Sequence, residues 1–264
     1  MRRAVVDTEA GKVSWEEVGD GPHLVVLHSL LTDRHAFDPV VGVLSDHWTV
    51  DLVDLPGFGE SAPAGPEIDA YADAVGGFLR ARELDPSTTA LMGNGLGGFV
   101  ALGTAIRYGD LLSRLCLVGC GAAFGAAARE TFRTMADRVE EGGMDSVLEL
   151  AVRRIFPERY LEENPEVARE RRDVLMRTRP SAFVAACRAL SRVDYRRQAG
   201  MVANPTLILV GTEDGATPPA MARELHALIP GSDLVEMEAV GHAPQLQDPE
   251  GFVRASGEFL LGRQ

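Results

Sequence analysis

Cysteine is scarce in this chain: three in 264 residues (Cys116, Cys120 and Cys187), an odd number with no C-x-x-C pair. That argues against a disulfide-built secreted scaffold and against a cysteine zinc site, and fits reduced thiols in a cytoplasmic protein. Positive charge is scarce as well. Against 39 acidic residues stand 26 basic ones, a net charge of −13, which is the wrong sign for a surface that binds phosphate backbones. No nucleic-acid partner is expected, and the acidity reads as solubility. No apolar run approaches the roughly 18–20 residues that cross a bilayer, and the Met-Arg-Arg start leads into no apolar signal core, so no membrane partner is expected. The glycine-rich stretch Gly93–Gly98 lacks the G-x-G-x-x-G spacing and acidic follower of a dinucleotide site, and no metal-ligand spacing occurs. No metal and no cofactor are expected. The expected partner is a small-molecule substrate, with a homodimer left open.

What is present is the material of one large α/β unit: 45% hydrophobic and 25% charged residues, enough chain to bury a real core. Val5–Asp7 and Lys12–Glu17 flank Glu9-Ala10-Gly11 as a hairpin. Leu24–Leu27, Val50–Val53, Ala90–Met92, Leu115–Val118, Leu207–Val210 and Leu234–Met237 are short apolar runs of the kind buried on both faces of a sheet. Between them Arg34–Leu44, Ile68–Arg82, Leu96–Tyr108, Met221–Leu228 and Phe252–Leu261 carry helical periodicity. The alternation predicts a mostly parallel sheet with helices on both faces.

From Phe124 to Ala199 the alternation stops and only helical patterning continues. Phe132, Met135 and Val139 form one stripe; Met144, Leu148, Ala151 and Ile155 form another. Asn164-Pro165-Glu166 reads as a helix start with Asn as N-cap. An insertion of this length exceeds a normal crossover. It predicts a helical cap over residues 122–199, set on a core of residues 1–121 and 200–264 and covering the carboxyl ends of the strands, where open α/β sheets bind ligands.

Four motifs carry chemistry. Gly93-Asn94-Gly95-Leu96-Gly97 has the strand–turn–helix context of the G-x-S-x-G nucleophile elbow, with glycine at the serine position. Asp214, in the loop after the strand Leu207–Val210, is the candidate acid. His242, in the Gly-His loop after Leu234–Met237, is the candidate base, and the chain order elbow, acid, histidine is that of an elbow-type acyl-transfer site. His28-Ser29-Leu30-Leu31-Thr32-Asp33 follows the strand Leu24–Leu27, so the Leu30 amide and the Leu96 amide are expected to converge on one oxyanion. The other histidines (His23, His35, His47, His226) have no such context. Substrate contacts are expected from His28, Ser29 and Asn94. Twelve of the basic residues are arginines between Arg153 and Arg197; most read as a solvated helix surface. Arg188, on the helix with Phe183 and Cys187, is the one expected to meet an anionic group of the substrate.

These motifs resemble the α/β-hydrolase superfamily over essentially the whole chain. The His28–Asp33 loop, the Gly211–Pro219 loop and the segment Phe183–Asp194 resemble the 3-oxoadipate enol-lactone hydrolases and their relatives. The resemblance implies an α/β-hydrolase fold with a helical cap, no cofactor, and a small carbonyl substrate of ester or enol-lactone type. It also implies His242 as base, Asp214 as its partner and the Leu30 and Leu96 amides as oxyanion donors. Three readings of Gly95 compete. The chain is an engineered nucleophile knockout of a serine hydrolase; or glycine is native and His242–Asp214 works as a free general base in an elimination, decarboxylation or C–C cleavage; or the chain is a non-catalytic pocket. The first is placed narrowly ahead.

Overall fold

The computed structural model describes residues 2–261; Met1 and the last three residues of the 200–264 segment lie outside it. Eight strands form one sheet: β1 (Arg2–Thr8), β2 (Gly11–Val18), β3 (His23–Leu27), β4 (Thr49–Val53), β5 (Ala90–Asn94), β6 (Arg114–Val118), β7 (Thr206–Gly211) and β8 (Asp233–Met237). Their order across the sheet is β1-β2-β4-β3-β5-β6-β7-β8. The β1–β2 hairpin joins antiparallel through β2 to β4, and every later pairing is parallel.

The pleat divides the core in two. Val25, Leu27, Leu91, Leu115, Leu117, Ile208 and Val210 face one apolar cluster, packed with the helices Ile68–Ala81 and Leu96–Tyr108. Their neighbours Leu24, Val26, Ala90, Met92, Cys116, Val118, Leu207 and Leu209 face the other, with Phe37, Val40 and Phe252 from the opposite helical layer. Successive side chains point to opposite faces of a strand, so a strand covered on both sides must be apolar throughout. That requirement is why these runs are short and unbroken rather than alternating.

Between β6 and β7 the chain is helical: Ala126–Gly142, Leu148–Ile155, Glu158–Glu163, Pro165–Arg177 and Pro180–Leu190. The two stems of this excursion meet where Ala123 bridges Asp194 and the Tyr195 amide donates to Ala122 O at 2.8 Å. Phe132, Met135, Val139, Ala151 and Ile155 are buried, as their spacing predicts. Met144 is buried too, but in a 3-10 turn (Met144–Val147) that precedes the α-helix beginning at Leu148. Asn164 does not cap the helix that follows it. Its Nδ2 donates back to Tyr160 O at 2.9 Å, closing the end of the preceding helix, while Pro165 supplies the first helical position.

Candidate active site

The site sits at the carboxyl ends of β3, β5, β7 and β8, with the helical segment above it. Strand β5 passes into the helix Leu96–Tyr108 through Gly95, whose backbone (φ 55°, ψ −115°) lies where L side chains are strained. The turn is tight enough that a β-carbon on Gly97 would stand 2.8 Å from His28 O and 2.6 Å from the Leu27 carbonyl carbon. In its absence the Gly97 amide reaches His28 O at 3.0 Å and ties the elbow to the loop after β3. A β-carbon on Gly95 would stand 2.6 Å from His242 Nε2 and 3.0 Å from Ser29 Cβ, and nearer still to Ser29 Oγ. Position 95 therefore points at the imidazole, and the Ser29 hydroxyl fills the space beside it.

Asp214 follows β7 and is closed into a turn of its own making. Its Oδ1 accepts from the amides of Ala216 and Thr217, both at 2.8 Å, and its Oδ2 accepts from Thr217 Oγ1 at 2.8 Å and from His242 Nδ1 at 2.9 Å. Burial alone would raise its pKa. The adjacent His242 charge and the hydrogen bonds from His242 and Thr217 outweigh that, and the carboxyl is held below the usual carboxylate range. The Nδ1 contact turns Nε2 the other way, toward Ser29 Oγ at 3.2 Å. The His242 amide donates to Ile155 O at 2.8 Å, so the helical segment helps set the histidine loop.

Leu96 opens its helix, so its amide has no intrahelical acceptor. Among the described residues neither it nor the Leu30 amide has an intramolecular partner. Both residues line the same cleft as Ser29, Gly95 and His242. Leu31, Phe99, Phe124, Phe132, Met135 and Leu190 give it mainly apolar walls. Among the described residues no group of three or more His, Cys, Asp or Glu side chains is placed to hold a metal ion, and no helix is long and apolar enough to cross a membrane.

Three expected substrate contacts are corrected. His28 is fully buried and does not line the cleft. Its Nδ1 donates to Ser29 O at 2.8 Å and its Nε2 accepts from the Leu55 amide at 3.2 Å. Burial pushes its pKa down, and the neutral ring pins the loop. Asn94, also fully buried, donates from Nδ2 to His242 O at 2.9 Å and accepts from Gln245 at 3.2 Å, so it holds the histidine loop from below. Arg188 points outward and pairs with Glu140 at 2.6 Å. The helix Pro180–Leu190 turns Leu190, not Arg188, to the cleft.

The cleft's own cation is Arg154, one of the arginines expected on the solvated helix surface. It lies over the Phe132 ring (5.8 Å to the centroid), and its nearest acceptor is Ala216 O at 3.5 Å. Among the described residues no carboxylate lies within 4 Å of it, whereas Arg153, Arg159 and Arg172 are paired with Glu158, Glu163 and Glu149. Its neighbour Arg153 shares the sequence context, so only the helical phase of Ala151 and Ile155 could have separated the two.

A model of the alpha/beta hydrolase family matches residues 24–255, and the chain belongs to that family. Among curated relatives, a pimeloyl-[acyl-carrier protein] methyl ester esterase of Neisseria meningitidis is 33% identical over 244 residues, covering 90% of this chain and 93% of that protein. One from Chromobacterium violaceum is 32% identical over 260 residues, covering 93% and 96%. Among solved structures, an enol-lactonase from Burkholderia xenovorans superposes with a TM-score of 0.91 at 27% identity, covering 98% of this chain and all of that one. A thermophilic esterase from Thermogutta terrifontis gives 0.89 at 29% identity, covering 99% of each.

Proposed function

We propose that this chain hydrolyses a small carboxylic ester or lactone whose apolar part lies along Phe99, Phe124, Phe132 and Met135 and whose far end carries an anionic group facing Arg154. The observation that carries the reading is the direction of His242. With Nδ1 on the Asp214 carboxylate (2.9 Å), Nε2 is the basic nitrogen, presented to a cleft that also receives two free amides. A base opposite an oxyanion hole is the equipment of acyl transfer. The names of the similar proteins, methyl ester esterase, enol-lactonase and esterase, agree with ester or lactone cleavage. A partly buried guanidinium with no carboxylate within 4 Å, acted on by the Asp214 charge only at longer range, is a site for one. The intact, buried dyad weighs against a merely binding pocket. Glycine at position 95 taken alone favours elimination or C–C cleavage by a free base, but the apolar wall and the amide pair serve an oxyanion equally well. The chain is read as working with Gly95 in place, not as an engineered knockout.

The test is turnover of monoesters of dicarboxylic acids against uncharged esters of equal length. Hydrolysis lost in His242→Ala, with Arg154→Met raising KM for the acidic substrates alone by about 10- to 100-fold, is the expected result. No hydrolysis of any ester or lactone by the wild-type chain would overturn the reading.

A further inference from the structure

We propose that Ser29, on the loop after β3, is the nucleophile of this chain, completing a Ser29–His242–Asp214 triad in which the hydroxyl comes from the oxyanion loop and not from the elbow. The proposal rests on the ester-hydrolysis reading and names the group that carries it out.

Three observations carry it. Ser29 Oγ lies 3.2 Å from His242 Nε2, the hydrogen-bond reach expected of a nucleophile and its base before substrate tightens the site. Thr217, the other hydroxyl touching the imidazole, sits on the Nδ1 side and is spent on Asp214. The missing side chain at position 95 is what admits Ser29. A β-carbon there would stand 3.0 Å from Ser29 Cβ and closer to its Oγ, so the Ser29 hydroxyl and an elbow side chain compete for one space. The backbone of Ser29 is also fixed. Its amide donates to Thr32 Oγ1 at 3.1 Å, its carbonyl accepts from His28 Nδ1 at 2.8 Å, and His28 O is tied to Gly97. Only the rotation of the hydroxymethyl group remains to be set, and the residue is 2% exposed while lining the cleft.

The chemistry closes without another reactant than water. Ser29 Oγ forms a bond to the ester carbonyl carbon as its proton passes to His242 Nε2, and the negative oxygen settles on the Leu30 and Leu96 amides. Collapse breaks the bond to the leaving oxygen, which takes the proton from His242. Water then attacks the acyl-Ser29 carbonyl, gives a proton to Nε2, and that proton returns to Ser29 Oγ as the acid departs.

The experiment is labelling of the wild-type chain with a fluorophosphonate, located by peptide mass spectrometry, alongside kinetics of Ser29→Ala and Ser29→Cys. The expected result is a label on Ser29, loss of at least about 10³-fold in kcat in Ser29→Ala with unchanged melting temperature, and a thiol in Ser29→Cys that iodoacetamide still modifies rapidly below the ordinary thiol range and that loses this reactivity when His242 is replaced. The double variant Ser29→Gly/Gly95→Ser should move the label to position 95. Hydrolysis that persists in Ser29→Ala but still needs His242 would overturn the proposal and leave ester hydrolysis standing, with His242 activating water directly. A label on another residue would overturn it equally, whether or not the variants fold. A wild-type chain that neither labels nor hydrolyses would sink both.

Discussion

Gly95→Ala tests the geometry of the site with one methyl group. Two costs are separable. The backbone at φ 55°, ψ −115° must be held by an L side chain, a strain of about 1–3 kcal/mol. The new β-carbon must also find room 2.6 Å from His242 Nε2 and 3.0 Å from Ser29 Cβ, both well inside ordinary contact distance. The imidazole is held at Nδ1 by Asp214 and its backbone amide by Ile155 O, so it cannot retreat without straining those bonds, whereas the Ser29 hydroxymethyl can rotate. The stability loss should therefore exceed the strain alone, lowering Tm by about 2–4 °C per kcal/mol, while the Ser29–His242 contact is broken and kcat falls by at least about 10²-fold. Thermal unfolding and ester turnover of the same preparation read the two effects. Adding Ser29→Gly should return part of the lost stability by removing one of the two obstacles, a coupling that additive sites would not show. A Gly95→Ala protein with wild-type Tm and wild-type turnover would refute the placement of residue 95 against the imidazole.

Two further outcomes follow from the hydrogen bonds. Asp214→Asn should keep the fold but cost on the order of 10⁴ in kcat, because a carboxamide nitrogen beside Nδ1 favours the wrong tautomer; kinetics with a matched Tm measurement check it. Acid should destabilise the protein in two stages. His28 has its pKa lowered by burial, so its contribution is complete above the ordinary imidazole range near 6.5 and fades as pH falls through its folded value. Asp214, lowered in its turn by His242 and Thr217 against the effect of burial, holds its contribution until pH drops below the ordinary carboxylate range. Denaturant midpoints between pH 8 and 3 should fall in that order for wild type, and the first stage should vanish in His28→Ala.

The sheet was legible because it obeys a local rule: a run such as Leu24–Leu27 or Leu207–Val210 has apolar residues on both faces, and no amphipathic helix would. The helix Leu96–Tyr108 could be placed to the residue, since the turn at Gly95 starts it. Asp214 and His242 were legible from their positions after strands, although their mutual contact depends on the whole sheet. The misreadings are about direction. Arg188 and Arg154 are both arginines on amphipathic helices of one excursion, and which of them looks into the cleft depends on how each helix is rolled against the core. His28 and Asn94 stand at the carboxyl ends of strands, where ligand contact is expected, yet the chain around them needed their polar atoms to hold backbone. The placement of Ser29 against the imidazole was hidden most thoroughly. A sequence motif lists side chains in order along the chain, and the space left vacant by Gly95 is filled from a residue 66 positions away.

The bond from the His242 amide to Ile155 O at 2.8 Å makes the roof of the cleft a structural support of the histidine loop. The Gly241 that precedes His242 is packed so closely that a β-carbon on it would meet Pro157 Cδ at 2.7 Å. Lifting the helix Leu148–Ile155 off the sheet would strip the histidine loop of its upper anchor at the same moment that it bared the cleft to water. Exposure and anchoring are thereby set against each other: the contacts that cover the cleft are the same ones that hold the histidine loop, so neither could be given up alone.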